Sequence, residues 1–154
     1  MKIFARLKIL LIAMSLVFFS SATLAKAPST CDDPENGLFI SLSSDDTWRA
    51  SMALGYATKN LEFGPVTIFM NVTGTRIAVK EKKLPHDFYA LNRKTTLESL
   101  RAFLKAGGRG LVCPNCIVRA GFNKKSLIRH KNLGMGKADL VRTELDCSAK
   151  QLSW

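Results

Sequence analysis

The sequence predicts an α/β protein, a single three-layer domain with a mainly parallel sheet flanked by helices. Three short apolar runs, at residues 38–42, 66–70 and 110–112, are bounded by turn-forming residues and predict buried strands. Segments with apolar residues at helical spacing separate these runs. Strands that alternate with helices are typical of a parallel sheet covered on both faces.

Residues 1–25 predict a secretory signal peptide rather than part of the fold. Three basic residues precede an apolar core at 9–19, and a stretch of small residues follows with cleavage expected near Ala25 or Ala27. The apolar core is shorter than the roughly 20 residues of a membrane-spanning helix. We therefore expect a periplasmic protein with no stable membrane insertion after cleavage.

The rest of the chain has the length and composition of one domain. We divide the sequence into the signal peptide (1–25), a polar N-terminal segment (26–36), the α/β domain (37–147) and a C-terminal tail (148–154). Cleavage removes three of the 23 basic residues and none of the 12 acidic ones, which leaves a net charge of +8. This charge favours anionic small molecules, acidic partners or a membrane surface, although a solvated basic surface explains it as well. An exported chain without interleaved aromatic and basic residues does not indicate nucleic acid binding.

The first helix is predicted between the first two strands. Asp45 and Asp46 are candidates for its N-cap, and Gly64 and Pro65 supply residues that end it. Its large apolar residues recur at helical spacing, and we assign Met52 and Tyr56 to the core and Trp48 to the core or to an interface.

The second helix begins at a capping box formed by Thr95 and Glu98. Its predicted apolar face consists of Leu97, Leu100, Phe103 and Leu104. After the third strand, a short helix is expected at 115–121. Gly134 and Gly136 then interrupt the chain before a last amphipathic segment at 138–145.

In open parallel sheets, ligands bind beyond the carboxyl ends of the strands. Three loops leave the predicted strands at that edge: 43–47, 71–75 and 113–116. The candidate substrate-binding residues lie in or next to the first two loops: Ser44, Asp45, Arg49, Asn71, Thr73 and Gly74. Helix capping, a salt bridge and a turn would account equally well for these residues.

Four cysteines in an exported chain allow three complete disulfide pairings. The economical assignment joins Cys31 to Cys147 as a structural disulfide and leaves Cys113 and Cys116 as the chemical pair. Such a long loop would stabilise the fold by about 4–5 kcal/mol in the chain-entropy model. The alternative is that both outer cysteines are free.

The motif Cys-Pro-Asn-Cys carries the most specific chemistry. A residue before proline is held in an extended conformation, so Cys113 ends its strand, and Pro114 suits the first position of a helix. Cys113 is then the N-cap, with Cys116 one turn later on the same side. Unpaired N–H groups at the helix start favour the thiolate of Cys113, which is the form that attacks disulfides or holds a sulfane sulfur.

Several interpretations of this pair are open. A zinc site needs further ligands, and only His86 and His130 remain, neither at a motif spacing, so we predict no metal and no cofactor. The spacing and export favour a thioredoxin-type redox pair, although that motif normally follows the first strand rather than the third. Two inert structural cysteines are the remaining alternative.

The sequence resembles the DsrE/DsrF-like family of small sulfur-handling α/β proteins over roughly residues 37–145. The resemblance lies in the stretches GLFISLSSDDTWRASMALGYA, VTIFMNVTGTRIA and GLVCPNCIVRAG. It implies a homo-oligomer that carries sulfur on Cys113, with Cys116 as a resolving thiol. The implied partners are a sulfur donor or acceptor protein or a small sulfane-sulfur compound. The signal peptide departs from the cytoplasmic relay proteins of this family, so their partners do not carry over.

Three functions are therefore considered. The first is an exported sulfur carrier, sulfurtransferase-like rather than a conventional turnover enzyme. The second is a periplasmic thiol–disulfide oxidoreductase that uses Cys113 and Cys116. The third is a non-catalytic oligomeric binding protein whose cysteines are structural.

Overall fold

The protein is represented by a computed structural model that describes residues 36–80 and 94–154. The predicted signal peptide, Cys31 and His86 lie outside these ranges. The described strands form one sheet, in which every neighbouring pair is parallel and the order is β4–β3–β2–β1–β5. The strands are β1 (Leu38–Leu42), β2 (Val66–Met70), β3 (Arg109–Val112), β4 (Leu133–Met135) and β5 (Lys150–Ser153).

Helices connect these strands and cover both faces, which confirms the predicted three-layer α/β class. The α-helices of the described residues are α1 (Thr47–Asn60), α2 (Thr96–Lys105), α3 (Pro114–Arg119) and α4 (Ala138–Asp146). Two 3-10 helices, Val72–Ala78 and Lys124–Ser126, lie in the connections. Within the described ranges, none of the helices combines the length and apolar character needed to cross a membrane.

The main hydrophobic core lies on one face of the sheet. Alternate side chains of β1 and β2 point to this face because successive residues of a strand face opposite sides. Helices α1 and α2 cover it, and the predicted apolar face of α2 is confirmed, with Leu97 only partly buried. The fully buried large side chains of the strands and α2 include Ile40, Leu42, Ile68, Met70, Leu100, Phe103 and Leu104.

The prediction that Met52 and Tyr56 belong to the core is wrong, and Trp48, predicted to pack in the core or at an interface, does not lie in the core. Trp48 is 69% exposed, Met52 39% and Tyr56 45%. The helix instead buries small residues and one leucine on its opposite side: Ala50, Ala53, Leu54 and Ala57. Both sides of α1 are apolar at helical spacing, so the pattern alone did not distinguish the face that packs on the sheet.

Helix α4 covers the second face through polar contacts. The Glu144 carboxylate accepts a hydrogen bond from the Thr67 hydroxyl at 2.6 Å and forms an ion pair with Arg109 at 2.7 Å. Phe39 and Phe69 lie on the same face, with ring centroids 6.3 Å apart. No residue of α4 is fully buried, and the polar contacts of Glu144 to β2 and β3 lie beside the half-buried Leu140, Val141 and Leu145.

The two outer strands were not predicted. The sequence predicts a tail at residues 148–154, but β5 pairs with β1 along its length, and the backbone of Trp154 continues this pairing at Ser41 and Ser43. Residues 150–153 therefore belong to the sheet. The glycine-containing segment predicted as an interruption forms β4, which pairs with β3.

Candidate functional site

Cys113 and Cys116 are joined by a disulfide, with their Cα atoms 5.3 Å apart. Cys113 is the N-cap of α3 in an extended conformation, and Pro114 occupies the first turn, as the sequence predicts. The backbone N–H of Cys116 donates a hydrogen bond to the Cys113 sulfur at 3.2 Å. The local sequence therefore places the Cys113 sulfur where it accepts a hydrogen bond from a backbone N–H in the first turn of α3.

The disulfide lies at the carboxyl edge of the sheet. The backbone N–H of Cys113 donates to the carbonyl of Met70 at 2.9 Å, which ties the end of β3 to the end of β2. Ile117 is fully buried and fixes α3 in the core, while both cysteines are half-buried and Asn115 between them is exposed. The cysteine pair is therefore held in place by the end of β2 and by the buried Ile117, and its other side is open to solvent.

A second group of predicted residues joins the loops that follow β1 and β2. The Thr73 hydroxyl accepts a hydrogen bond from the Asp45 backbone N–H and donates one to the Ser43 carbonyl, both at 3.2 Å. The Ser44 hydroxyl accepts from the Asp46 backbone N–H at 3.1 Å. Gly74 packs so closely on the carbonyl of Leu42 that a Cβ atom would collide with it. These contacts give the loop residues a structural role.

Asn71 and Val72 connect this group to the strand that supports Cys113. The Asn71 amide donates to the Ser41 hydroxyl at 3.1 Å, and its Oδ1 atom is buried without a described hydrogen-bond partner. Val72 follows with a φ of 46°, in the left-handed region that β-branched residues avoid. The chain therefore turns sharply where β2 ends, beside the disulfide-bearing end of β3.

Arg76 belongs to this edge, although sequence analysis did not select it. Its guanidinium forms an ion pair with Asp45 at 3.2 Å, and its Nε atom is buried without a described partner. Asp46 caps α1 by accepting from the Arg49 backbone N–H at 2.9 Å, while the Arg49 side chain is exposed. Nothing in the sequence around Arg76 distinguished it from the other basic residues, because its partner comes from a distant loop.

The predicted site therefore forms two adjacent groups rather than one pocket. Among the described residues, no hydrogen bond joins the disulfide to Ser44, Asp45 or Arg49. Strands β1 and β3 flank β2, and strands are spaced about 4.8 Å apart, so their ends lie about 10 Å from each other. A small molecule at the disulfide would meet the loops after β2 and β3 before those after β1.

Cys147 is disulfide-bonded. Its predicted partner, Cys31, lies outside the described residues, so the Cys31–Cys147 pairing stays a prediction.

A cleft beside β4 has a lining that does not include the disulfide. It has a volume of about 740 Å³ and runs beside β4, with an apolar floor that includes Leu127 and Ile128. Neither Cys113 nor Cys116 lines it. Its rim carries Lys124, Lys125, Arg129 and Lys131.

Comparison with known proteins supports the α/β fold and gives no information on function. The sequence matches no family model, and it matches no curated protein. The structure is similar to that of a protein of unknown function from Methanobacterium thermoautotrophicum, with a TM-score of 0.57 and 14% sequence identity. The match covers 75% of this chain and 97% of the other. At this identity the likeness establishes a shared α/β fold only.

Proposed function

We propose that this protein is an exported, DsrE/DsrF-like sulfur carrier that holds a sulfane sulfur on Cys113 in the periplasm. The observation that carries the proposal is the Cys113–Cys116 pair at the carboxyl edge of the sheet, in which only Cys113 caps the helix. The resemblance of residues 110–121 to that family supports the same assignment, as does the predicted signal peptide.

The first chemical step loads the sulfur. With the pair reduced, the Cys113 thiolate attacks the outer sulfur of a donor persulfide or polysulfide, forms a new S–S bond and displaces the donor thiolate. The N–H of Cys116 lies 3.2 Å from the Cys113 sulfur and stabilises negative charge on it. The half-buried position and the open edge leave room for a donor to approach.

The second step unloads it in one of two ways. An acceptor thiolate takes the outer sulfur and leaves Cys113 as a thiolate. Alternatively, the Cys116 thiolate attacks the Cys113 sulfur, forms the intramolecular disulfide and expels the outer sulfur as hydrosulfide. In that branch the sulfane sulfur is reduced and the cysteine pair is oxidised, so an external thiol reductant must reopen the disulfide. In this branch the pair ends as a Cys113–Cys116 disulfide, the pairing that these two residues have in the fold.

A second candidate function is thiol–disulfide exchange. The closed disulfide with a solvent-exposed residue between its cysteines is also the resting state of an oxidising pair. In this scheme Cys113 would form a mixed disulfide with a substrate protein, and Cys116 would resolve it.

Mass spectrometry separates the two functions. Trypsin cleavage after Arg109 and Arg119 releases residues 110–119, which contain both thiols of the pair and neither outer cysteine. After mild reduction and exposure to polysulfide or thiosulfate, a carrier should yield this peptide with an added mass of about 32 Da, the mass of one sulfur atom. The adduct should disappear in Cys113→Ser and remain in Cys116→Ser, which serves as the matched control.

The same protein preparation tests the alternative. Catalysed reduction of a disulfide substrate, together with no sulfur adduct from either donor, would reject the carrier in favour of the oxidoreductase. If neither activity is found and Cys113→Ser assembles normally, the cysteines are structural.

A further inference from the structure

Helix α1 carries an apolar stripe on its exposed side. Trp48, Met52 and Tyr56 follow one another at intervals of four residues and are 69%, 39% and 45% exposed. Residues four apart lie on the same side of a helix, so these three form one continuous surface. Phe63, which is 67% exposed, lies just beyond the end of the helix.

The fold of one chain does not account for this stripe. At about 100° per residue, the three side chains span about 80° of the helix circumference and lie opposite the face formed by Ala50, Ala53, Leu54 and Ala57. A helix on the surface of a monomer normally places charged residues on the side that faces water. A contiguous exposed apolar surface instead marks a contact site.

The stripe is complementary to itself. Met52 lies midway between Trp48 and Tyr56, so a two-fold axis through Met52 would pair two antiparallel copies of α1. Each Trp48 would then pack against Tyr56 of the second copy, with the two Met52 side chains in contact at the axis. Thioether–aromatic and aromatic–aromatic contacts of this kind are favourable.

The charges at the ends of the helix fit the same arrangement. Asp46 is exposed at the start of α1, and Lys59 lies in its last turn. Antiparallel pairing about Met52 places position 46 opposite position 58 of the second copy, so Asp46 and Lys59 differ by one residue in register at both ends of the contact. Arg49, which is also exposed on α1, faces Gly55 of the second copy. Opposite charges attract at these ends, whereas parallel pairing would place like charges together.

We propose that α1 forms the interface of a two-fold symmetric homodimer, with Met52 at the axis. This assignment names a surface and a symmetry that the proposed sulfur chemistry does not require. The 14-residue helix spans only about 21 Å. The contact therefore lies at the small end of specific interfaces, and we expect a dissociation constant on the order of 1–100 μM.

The oligomeric state of the purified protein tests the proposal. Sedimentation velocity from about 1 to 300 μM should show a monomer–dimer equilibrium. Met52→Glu places two carboxylates together at the axis and should raise the dissociation constant about 100-fold or more. Because Met52 is already exposed and glutamate favours helices, the variant should keep its circular dichroism spectrum. Val118→Glu, at an exposed residue of α3, is the matched control and should dimerise normally.

Cross-linking tests the symmetry independently of stability. In a Cys113→Ser, Cys116→Ser background, Met52→Cys should form an intermolecular disulfide under mild oxidation because the residue meets its own copy. Trp48→Cys should not, since the two copies of that position are separated by about 12 Å along the helices. A monomeric wild-type protein, assembly that persists in Met52→Glu, or equal cross-linking of both cysteine variants would overturn the proposal.

Discussion

Val72 shows how the edge of the sheet is shaped at the scale of a single residue. It is the non-glycine residue with positive φ among those described, and its side chain is 60% exposed. A β-branched residue in the left-handed region raises the energy of the folded chain by about 1–2 kcal/mol. Since the exposed side chain recovers little of this by burial, the turn is held by its neighbours, through the Asn71 and Gly74 backbone hydrogen bonds to Leu42 and Ser43.

We expect Val72→Asn to stabilise the protein by about 0.5–1 kcal/mol, because asparagine adopts the left-handed conformation more easily. Urea denaturation of the two proteins measures the difference. Val118→Asn, a change of the same type at an equally exposed residue, should give no gain. An unchanged or lowered free energy of unfolding in Val72→Asn would show that the strain is absent.

For the predicted substrate-binding residues, the sequence indicated where the side chains lie in the fold but not which residues they contact. Polar residues at the strand ends were expected to face a ligand, and they do lie at the predicted edge. The Asp45 backbone N–H, however, donates to the Thr73 hydroxyl, and the Asp45 carboxylate forms an ion pair with Arg76. Such pairings between residues about 30 positions apart are fixed by the fold and leave no local signature.

At the scale of elements, the N-terminus of α2 and its capping box were predicted correctly from the sequence. The Thr95 hydroxyl accepts from the Glu98 backbone N–H at 3.2 Å, and the Glu98 carboxylate accepts from the Thr95 backbone N–H at 2.8 Å. Hydrogen bonds from the backbone N–H and the hydroxyl of Thr95 lower the pKa of Glu98 below its usual 4.5. The ionised carboxylate is therefore the form that stabilises the helix.

This shift predicts a pH dependence with a definite sign. Because the pKa is lower in the folded state, the contribution of Glu98 is complete above pH 4.5 and is lost as the pH falls through the lower folded value. The wild type should melt at a higher temperature than Glu98→Gln at pH 7, and the difference should shrink below pH 4.5. A difference in melting temperature that stays constant down to pH 3 would contradict the assigned role of the carboxylate.

The accuracy of the element predictions follows from burial. Strands β1, β2 and β3 are mostly apolar and mostly buried because both faces of the sheet are covered, so the sequence predicted them. Strand β5 is exposed at every position, and β4 has three residues with a central glycine, so neither has a hydrophobic pattern. The face of α1 was misassigned because its core side uses alanines, while the larger apolar residues face outward.

At the scale of the whole molecule, the C-terminal residues protect the most apolar strand. Strand β1 lies between β2 and β5, and without β5 its apolar edge would be open to pairing with other chains. The Trp154 backbone accepts from Ser43 N–H at 3.0 Å and donates to the Ser41 carbonyl at 2.9 Å. The last residues are therefore part of the domain.

Deletion of residues 150–154 should lower the free energy of unfolding by on the order of 3 kcal/mol or more, since several backbone hydrogen bonds and part of the core cover are lost. The truncated protein should also aggregate, as followed by light scattering. Leu152→Ala, which keeps the backbone pairing, is the control and should remain soluble. A truncated chain that melts with the full-length protein and stays monodisperse would show that β5 is dispensable.

The central claim is that the two cysteines have unequal roles, with Cys113 as the carrier and Cys116 as the residue that releases the sulfur. The most direct test follows the sulfur adduct on residues 110–119 over time after the donor is removed. In the wild type, the adduct should decay as the Cys113–Cys116 disulfide and one equivalent of hydrosulfide appear together. In Cys116→Ser it should persist on Cys113, because no internal thiol can expel it. Equal lifetimes in the two proteins, or an adduct found on Cys116, would contradict the account.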